Sequence, residues 1–166
     1  MMLGWAQWVA LLVAAQRLAE LAYARRNESR LRARGAVESG ARHYPLFILL
    51  HGAWLLAVFL LIPADRAPSW PLLALFLLLQ AARVWVVATL GPYWTTRVLS
   101  LPGAPLVRRG PYRWVRHPNY VVVAAEIAVL PLAFDAWTIA IVFSLANALL
   151  LRHRIGIEEG ALAGRS

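Results

Sequence analysis

The sequence predicts an all-α integral membrane protein, a five-helix transmembrane bundle that forms a single domain over residues 1–166. Three observations lead to this prediction. Apolar residues make up 61% of the chain and its mean hydropathy is +0.60, which is more than a soluble domain of 166 residues can bury. Apolar stretches of about 20 residues, the length that crosses a bilayer as a helix, follow one another along the chain. Arginines gather in the segments between these stretches.

Four apolar stretches yield five expected helices. The last stretch, 118–151, is too long for one crossing, so we expect it to turn near Pro131 to Asp135. The first stretch lacks the short apolar core and the small-residue cleavage site of a signal peptide, and we expect it to be retained. The expected spans are about residues 3–23, 45–63, 70–90, 118–133 and 135–153.

The distribution of arginine predicts the orientation of the bundle. All 17 Lys+Arg positions are Arg; segment 24–44 carries six of them, segment 91–117 five and the C-terminal tail three, whereas the opposite side has only Arg66. The positive-inside rule therefore places the N-terminus outside and both loops and the C-terminus in the cytosol. We expect a multi-pass protein of the bacterial inner membrane, with a cytosol-facing site and a net charge of +9 that meets membrane lipids. No nucleic-acid partner is expected, because the arginines flank spans and do not form one basic stripe.

The cytosolic loop before the fourth helix carries strand and turn signals. Residues 95–100 and 106–109 flank Pro102-Gly103, a pair suited to a type II turn, so the sequence predicts a small hairpin here. Pro118 suits the first turn of the next helix, where its missing N–H costs nothing. The amides beyond it are unpaired, and helix starts of this kind bind carboxylates and phosphates.

Seven polar residues within the spans share one depth, roughly 5–15 Å from the cytosolic end of their helix at about 1.5 Å per residue. They are Arg17, Glu20, His51, Gln80, Arg83, Glu126 and Asn147. Such groups usually mark function, and their depth predicts a pocket open only to the cytosol, unlike the midplane site of a transporter. A structural interpretation stays open, with Arg17–Glu20 and Arg83–Glu126 as ion pairs and His51 as a buried imidazole. No metal site is expected, because the chain has no Cys and no second His four residues from His51.

Two polar segments mark the cytosolic ends of the last two helices. The first is the run Gly110-Pro111-Tyr112-Arg113-Trp114-Val115-Arg116-His117-Pro118-Asn119-Tyr120, and the second is Arg154 with Glu158-Glu159. Glu158 lies one helical turn after Arg154 and can pair with it. With Leu162, the two segments follow the patterns G-x-Y-x-x-x-R-H-P-x-Y and R-x-x-x-E-E-x-x-L, here called the two-part motif. The motif resembles the isoprenylcysteine carboxyl methyltransferase and phospholipid methyltransferase superfamily of membrane enzymes, over roughly residues 75–162.

The resemblance implies a membrane methyltransferase that uses S-adenosyl-L-methionine as cofactor and acts on a lipid-like acceptor. The stretch from Arg17 to Pro45 is similar to a short bacterial branch linked to the methylation of alkylpyrones or alkylresorcinols. We therefore expect O-methylation of an isoprenylcysteine-type carboxylate or of an alkylpyrone or alkylresorcinol hydroxyl. Val122 stands where many relatives have Gly, which weakens the case for a prenylcysteine acceptor.

The same resemblance implies the site residues. Arg154 matches an arginine that contacts the methyl acceptor. The positions that match cofactor contacts are Arg97, Leu106, Val107, Tyr112, His117, Pro118, Asn119, Tyr120 and Glu158. A carboxylate acceptor needs no general base, whereas a phenol or enol does. Glu126 and His51 are the candidate bases, and Arg83 is a further catalytic candidate.

Two other functions stay open beside the enzyme. A small multidrug-type transporter has this size, this apolarity and a buried acid such as Glu126, but it needs neither Arg154 with Glu158 nor a proline-started helix after a cytosolic loop. A structural membrane subunit would bind no small molecule. A soluble methyltransferase of the Rossmann type is excluded, because the chain has no glycine-rich strand-turn-helix signature.

Overall fold

The computed structural model of the protein describes residues 2–41, 44–104 and 107–162. Residues 161 and 162 are described by their backbone alone. The described residues form five α-helices and two short strands. The helices are α1 (Trp5–Ala33), α2 (Tyr44–Leu61), α3 (Trp70–Leu90), α4 (Pro118–Leu132) and α5 (Trp137–Leu162). The strands are β1 (Val37–Ser39) and β2 (Val98–Ser100), and single 3-10 turns lie at Gly91–Tyr93 and Gly110–Arg113. The predicted all-α architecture is confirmed.

The helices pack as a bundle in which α1 lies against α2, α2 against α5, α5 against α4 and α4 against α3. An apolar core fills the end that holds the N-terminus of α1, with Trp54, Phe76 and Leu130 almost fully buried. A smaller apolar cluster of Ala24, Val86 and Trp94 lies toward the other end of the bundle. Five of the seven polar residues of the spans lie between these two apolar layers along α1, α3 and α4: Arg17, Glu20, Gln80, Arg83 and Glu126.

Three helical segments are long and apolar enough to cross a membrane, judged by length and composition: Tyr44–Leu61, Trp70–Tyr93 and Trp137–Gly160. Each of them exposes large apolar side chains, as lipid contact requires, and α2 exposes Leu56 and Leu60 in this way. The helix α4 is also apolar but has 15 residues, which span about 22 Å at 1.5 Å per residue. That α1 and α4 cross the bilayer stays a prediction, and so does the orientation of the bundle.

The first and last helices extend well beyond the predicted spans. The helix α1 continues from residue 23 to Ala33, and α5 from residue 153 to Leu162, so both project past the apolar layer. Residues 24–33 contain no Gly or Pro that would stop a helix. The stop comes at Gly35, which has a φ of 88°, and the Ala36 amide bonds back to the Leu31 carbonyl at 3.0 Å.

The predicted hairpin between residues 95–100 and 106–109 is wrong, because the first segment forms a strand that pairs with a different part of the chain. The strand β2 pairs antiparallel with β1, in the register Val37↔Ser100, Glu38↔Leu99 and Ser39↔Val98. The expected turn at Pro102-Gly103 does form, with a φ of 74° at Gly103, but it does not return the chain along β2. Glu38 accounts for the observed pairing, because it accepts a hydrogen bond from Arg97, next to β2, at 2.6 Å. The predicted turn between the last two helices at residues 131–135 is confirmed.

Candidate active site

A cavity of about 860 Å³ lies where the end of α3, the segment 93–101, the start of α4 and the end of α5 meet. Both halves of the two-part motif line it. The first half contributes Tyr112, His117, Asn119 and Tyr120, and the second half contributes Arg154, Glu158 and Glu159. Arg97 and Val107 also lie on the wall, whereas Pro118 is buried beneath it. Leu106, the remaining predicted cofactor contact, lies outside the described residues.

Gly110 lets the first half of the motif lie close to α3. It has a φ of 55°, and a Cβ atom at this position would lie 2.6 Å from Oγ1 of Thr89. Only glycine meets both conditions without strain. The 3-10 turn that follows places Tyr112 against the apolar cluster of Ala24, Val86 and Trp94. Burial raises the pKa of the Tyr112 phenol, and the charge of Glu158 raises it further, so this hydroxyl stays protonated at neutral pH.

Tyr120 connects the two charged residues of the second half of the motif. Arg154 Nε donates to the Tyr120 hydroxyl oxygen at 2.8 Å, and the same hydroxyl donates to the Glu158 carboxylate. Arg154 Nη2 also donates to the Thr96 carbonyl at 2.7 Å. The direct Arg154–Glu158 pair that the sequence allows is absent among the described residues, because the tyrosine stands between the two side chains.

His117 stacks on the ring of Tyr120. The two rings stack with their centroids 5.3 Å apart and an interplanar angle of 17°. Nδ1 of the imidazole lies 3.8 Å from the Glu158 carboxylate and Nε2 lies 3.7 Å from that of Glu159, both beyond hydrogen-bond distance. Within the described part of the chain, Nε2 is buried and has no hydrogen-bond partner. It can therefore bind a polar group in the cavity.

Three arginines on the cavity wall were missed as site residues by the sequence analysis, which assigned them to membrane topology. Arg108, Arg113 and Arg116 line the cavity, and none of them forms an ion pair with another described residue. Arg113 lies instead over the ring of Trp114, 4.9 Å from its centroid. The lining of the cavity therefore combines these positive charges with the two carboxylates at the end of α5. The sequence did contain a signal that could have identified them as site residues, because two of the three arginines lie inside the first half of the motif.

Arg97 lies on the wall, but its charge is directed away from the cavity. Its Nη1 donates to Glu38 at 2.6 Å, its Nε lies 3.6 Å from Glu28, and the guanidinium covers the ring of Tyr44. The hydrogen bond to Glu38 raises the pKa of Arg97. Burial alone would raise the pKa of Glu38, but the hydrogen bonds from Arg97 and Arg32 outweigh it and hold that pKa below its ordinary value. A cofactor contact by Arg97 stays a prediction.

The three catalytic candidates lie below the cavity and do not line it. Arg83 and Glu126 belong to a polar cluster that also contains Arg17, Glu20 and Gln80. Arg17 donates to Glu126 at 2.6 Å, Arg83 donates to Glu20 at 2.6 Å, and Gln80 donates to Glu126 at 2.9 Å. Two guanidinium groups thus balance two carboxylates.

The remaining candidate, His51, has a local partner: its Nδ1 lies 2.8 Å from the Phe47 carbonyl of the same helix. The cluster touches the cavity wall at one point, where Arg83 Nη1 lies 3.5 Å from the Asn119 side-chain oxygen. Catalytic roles for Glu126, His51 and Arg83 stay predictions. Within the described residues, no three His, Asp or Glu side chains come together as a metal site.

The isoprenylcysteine carboxyl methyltransferase (ICMT) family model matches residues 72–164, which include the whole two-part motif. The chain belongs to the ICMT family. It is therefore a membrane methyltransferase, as the motif predicts, and family membership speaks against the transporter. The match covers all of α4 and α5 and nearly all of α3, and it leaves out α1, β1 and α2.

Two uncharacterized proteins are similar to this chain along almost its full length. The uncharacterized protein YpbQ of Bacillus subtilis is 42% identical over 158 residues, which cover 93% of this chain and 94% of that protein. An uncharacterized protein of Haemophilus influenzae is 30% identical over 158 residues, 91% of each chain. No solved structure gives a significant match.

Proposed function

We propose that this ICMT-family protein transfers a methyl group from S-adenosylmethionine to an oxygen of a lipid-like acceptor, at the cytosolic surface of the membrane. One observation carries the proposal. The two halves of the motif lie 34 residues apart in sequence between Tyr120 and Arg154, yet they meet around one cavity through the Arg154–Tyr120–Glu158 contacts. A structural subunit would not need a charged cavity of this kind.

The lining of the cavity fits the chemistry of S-adenosylmethionine, which combines a carboxylate, two cationic centres and an adenine ring. Arg108, Arg113 and Arg116 can hold the carboxylate, because no described carboxylate neutralises them. Glu158 can bind the ammonium group or a ribose hydroxyl. The unpartnered Nε2 of His117 supplies one more polar contact. The cavity volume, about 860 Å³, lies within the usual range for sites of small molecules and cofactors.

When bound, the cofactor supplies an electrophilic methyl group on sulfur, and the residues of the chain align the acceptor oxygen with it. Alignment of two reactants supplies roughly 7–11 kcal/mol of a barrier when the geometry is good. The Arg154 guanidinium, held by Tyr120 and Thr96, attracts an anionic acceptor oxygen. The same guanidinium therefore favours a carboxylate or an ionised phenol or enol over a neutral alcohol.

The proton of a hydroxyl acceptor must go to a group that lines the cavity. His117 and Glu159 are titratable groups there, 3.7 Å from each other, whereas the sequence-based candidates Glu126 and His51 do not line the cavity. We therefore propose His117 or Glu159 as the first base to test for a hydroxyl acceptor. A carboxylate acceptor requires no base, so that reaction would survive the loss of either group.

The proposal is tested with the full chain purified in detergent. Calorimetric titration with S-adenosylhomocysteine should give saturable binding, and labelled S-adenosylmethionine should transfer its methyl group into a lipid extract of the expressing cells. Mass spectrometry of the extract then identifies the acceptor as the lipid that gains one CH2 unit. Arg152→Ala, which changes an exposed arginine two residues before Arg154, is the matched control and should keep both activities. Folded protein that binds no cofactor at millimolar concentration would refute the proposal.

A further inference from the structure

One wall of the cavity is the segment 93–101, which leads from the end of α3 into β2. This segment lies within the part of the chain that the ICMT family model matches. The side chains that hold it from behind come from α1 and α2, which lie outside that match. The N-terminal third of the protein therefore contacts the reaction site without lining most of it.

Asn27 of α1 fixes the chain where it leaves α3. Its buried side-chain amide donates to the Gly91 carbonyl at 3.0 Å and to the Trp94 carbonyl at 2.9 Å. The last carbonyls of a helix have no partner within the helix, and a side chain from another element can satisfy them. One amide group thereby ties α1 to both ends of the turn that begins the cavity wall.

Thr96 is the next residue held in this way, and it bonds in two directions. Its hydroxyl donates to Glu28 of α1 at 3.2 Å and lies 3.0 Å from the Tyr44 hydroxyl of α2. A threonine hydroxyl has one hydrogen, so Tyr44 is the donor in the second contact. The Thr96 carbonyl accepts the hydrogen bond from Arg154 Nη2 at 2.7 Å. Neither Thr96 nor Glu28 lines the cavity.

We propose that Glu28 and Thr96 are positioning residues for methyl transfer, because they set the orientation of Arg154 toward the acceptor. This inference rests on the acceptor-binding role of Arg154 in the proposed function. An arginine side chain has many rotamers, and holding it in one of them before the acceptor arrives lowers the entropy cost of binding. Glu28 fixes the Thr96 hydroxyl, the peptide of Thr96 is thereby held, and its carbonyl fixes one end of the guanidinium.

The chain offers closely matched variants for a test. Thr96→Val removes the hydroxyl and keeps the shape, whereas Thr96→Ser keeps the hydroxyl and should restore the wild-type behaviour. Glu28→Met removes the carboxylate oxygen that accepts the hydrogen bond from Thr96, whereas Gln would keep an acceptor there, and it serves as a second variant if Thr96→Val folds poorly. Ser29→Ala changes the exposed neighbour of Glu28 on α1 and is the control.

The first measurement is the reactivity of Arg154 toward phenylglyoxal, mapped by peptide mass spectrometry in the full detergent-purified chain. Exposed Arg152 is the internal reference. The Arg154-to-Arg152 rate ratio should rise about three- to tenfold in Thr96→Val and in Glu28→Met, the scale expected from losing one hydrogen bond. It should stay at the wild-type value in Thr96→Ser and Ser29→Ala. An unchanged ratio in Thr96→Val, or an equal rise at every arginine, overturns the inference.

The second measurement separates this inference from the proposed function. The amount of lipid extract that half-saturates methyl transfer should rise about three- to tenfold in Thr96→Val, while the Kd for S-adenosylhomocysteine stays within about twofold. A change in cofactor Kd with no change in half-saturation overturns the positioning of Arg154 toward the acceptor. If the wild-type protein neither binds S-adenosylhomocysteine nor methylates the extract, the proposed function is wrong. The reactivity ratio then still decides whether Glu28 and Thr96 orient Arg154.

Discussion

Tyr120 stands between two charged residues of α5 to which the two-part motif assigns different roles. Glu158 matches a cofactor contact and Arg154 an acceptor contact, and the tyrosine hydroxyl bonds to both. Losing one hydrogen bond to a charged group costs about 1.5–3 kcal/mol, which corresponds to roughly ten- to a hundredfold in affinity. Glu158→Gln should therefore weaken binding of S-adenosylhomocysteine by that factor, measured by calorimetry, while the protein stays folded.

Arg154→Ala should keep the cofactor affinity within a few-fold and lower methyl transfer to the lipid extract. Asp135→Asn makes the same chemical change as Glu158→Gln at an exposed site at the other end of α4 and should alter neither quantity. Equal losses of cofactor affinity in Glu158→Gln and Arg154→Ala would show that Arg154, Tyr120 and Glu158 act as one unit. The separate roles would then be wrong.

Gly110 combines two constraints that a matched pair of variants can separate. Gly110→Ala adds the strain of a positive φ and a Cβ contact with Thr89, whereas Gly35→Ala adds the same kind of strain in open space. Backbone strain of this kind costs about 1–3 kcal/mol. Thermal unfolding in detergent should show a larger loss for Gly110→Ala, and only that variant should weaken cofactor binding. Equal effects would mean that contact with α3 does not shape the cavity.

At the scale of elements, the strand pair β1–β2 links the end of α1 to the cavity wall through Glu38. The pKa of Glu38 is held below its ordinary value, so its contribution to stability is complete above pH 4.5 and is lost as the pH falls through the lower folded pKa. The protection of the β1 and β2 amides against hydrogen exchange, taken relative to the intrinsic exchange rate at each pH, should fall across that acidic window. In Glu38→Gln the window should disappear. An identical pH dependence in wild type and variant would refute this assignment.

Local sequence signals were sufficient to predict most helices and turns, but they did not predict which strands pair. The apolar stretches predicted α2, α3 and the turn after Pro131. The end of α1 was predicted near residue 23, where the apolar stretch ends, although Gly35 is a clear signal for the end of the helix. The pairing of β2 with β1 joins residues about 60 positions apart through three-residue strands, which leave no readable pattern in one sequence. Short strands of this kind are specified by side-chain contacts such as Glu38 with Arg97.

The residues of the candidate site also fall into two groups, those that the sequence predicted and those that it did not. The residues of the two-part motif were named from the sequence, because their spacing resembles a known pattern. Thr96 and Asn27 were not named, because each acts through main-chain carbonyls or through residues distant in sequence. The cavity arginines were counted for topology, and a charge count does not distinguish an arginine at a headgroup from one on a cavity wall.

At the scale of the whole molecule, the polar cluster of Arg17, Glu20, Gln80, Arg83 and Glu126 joins α1, α3 and α4 between the apolar core and the cavity. Removing one partner of a buried ion pair costs about 3–5 kcal/mol, because a charge is left uncompensated. Glu126→Gln should destabilise the folded protein by this amount in thermal unfolding, since its side chain is 1% exposed. The double variant Arg17→Gln with Glu126→Gln restores charge balance and should recover part of the loss. A cost as small as that of the exposed Asp135→Asn change would contradict a stabilising role of the cluster.

The placement of charge along the bundle also predicts which end faces the cytosol. The cavity, its unneutralised arginines and the extension of α1 lie at one end, while Arg66 and Asp135 mark the other. S-adenosylmethionine is made and used inside cells, so the proposed function requires the cavity end to be cytosolic, in agreement with the positive-inside rule.

The chain has no cysteine, so single cysteines can be introduced without background labelling. Ser29→Cys on the α1 extension should resist a membrane-impermeant maleimide in intact cells and react after lysis, whereas Ala67→Cys should react in both. Both positions are exposed, so burial cannot produce the difference. Labelling of Ser29→Cys but not Ala67→Cys in intact cells would place the cavity outside the cytosol, where the cofactor is absent, and the proposed methyl transfer could not occur there.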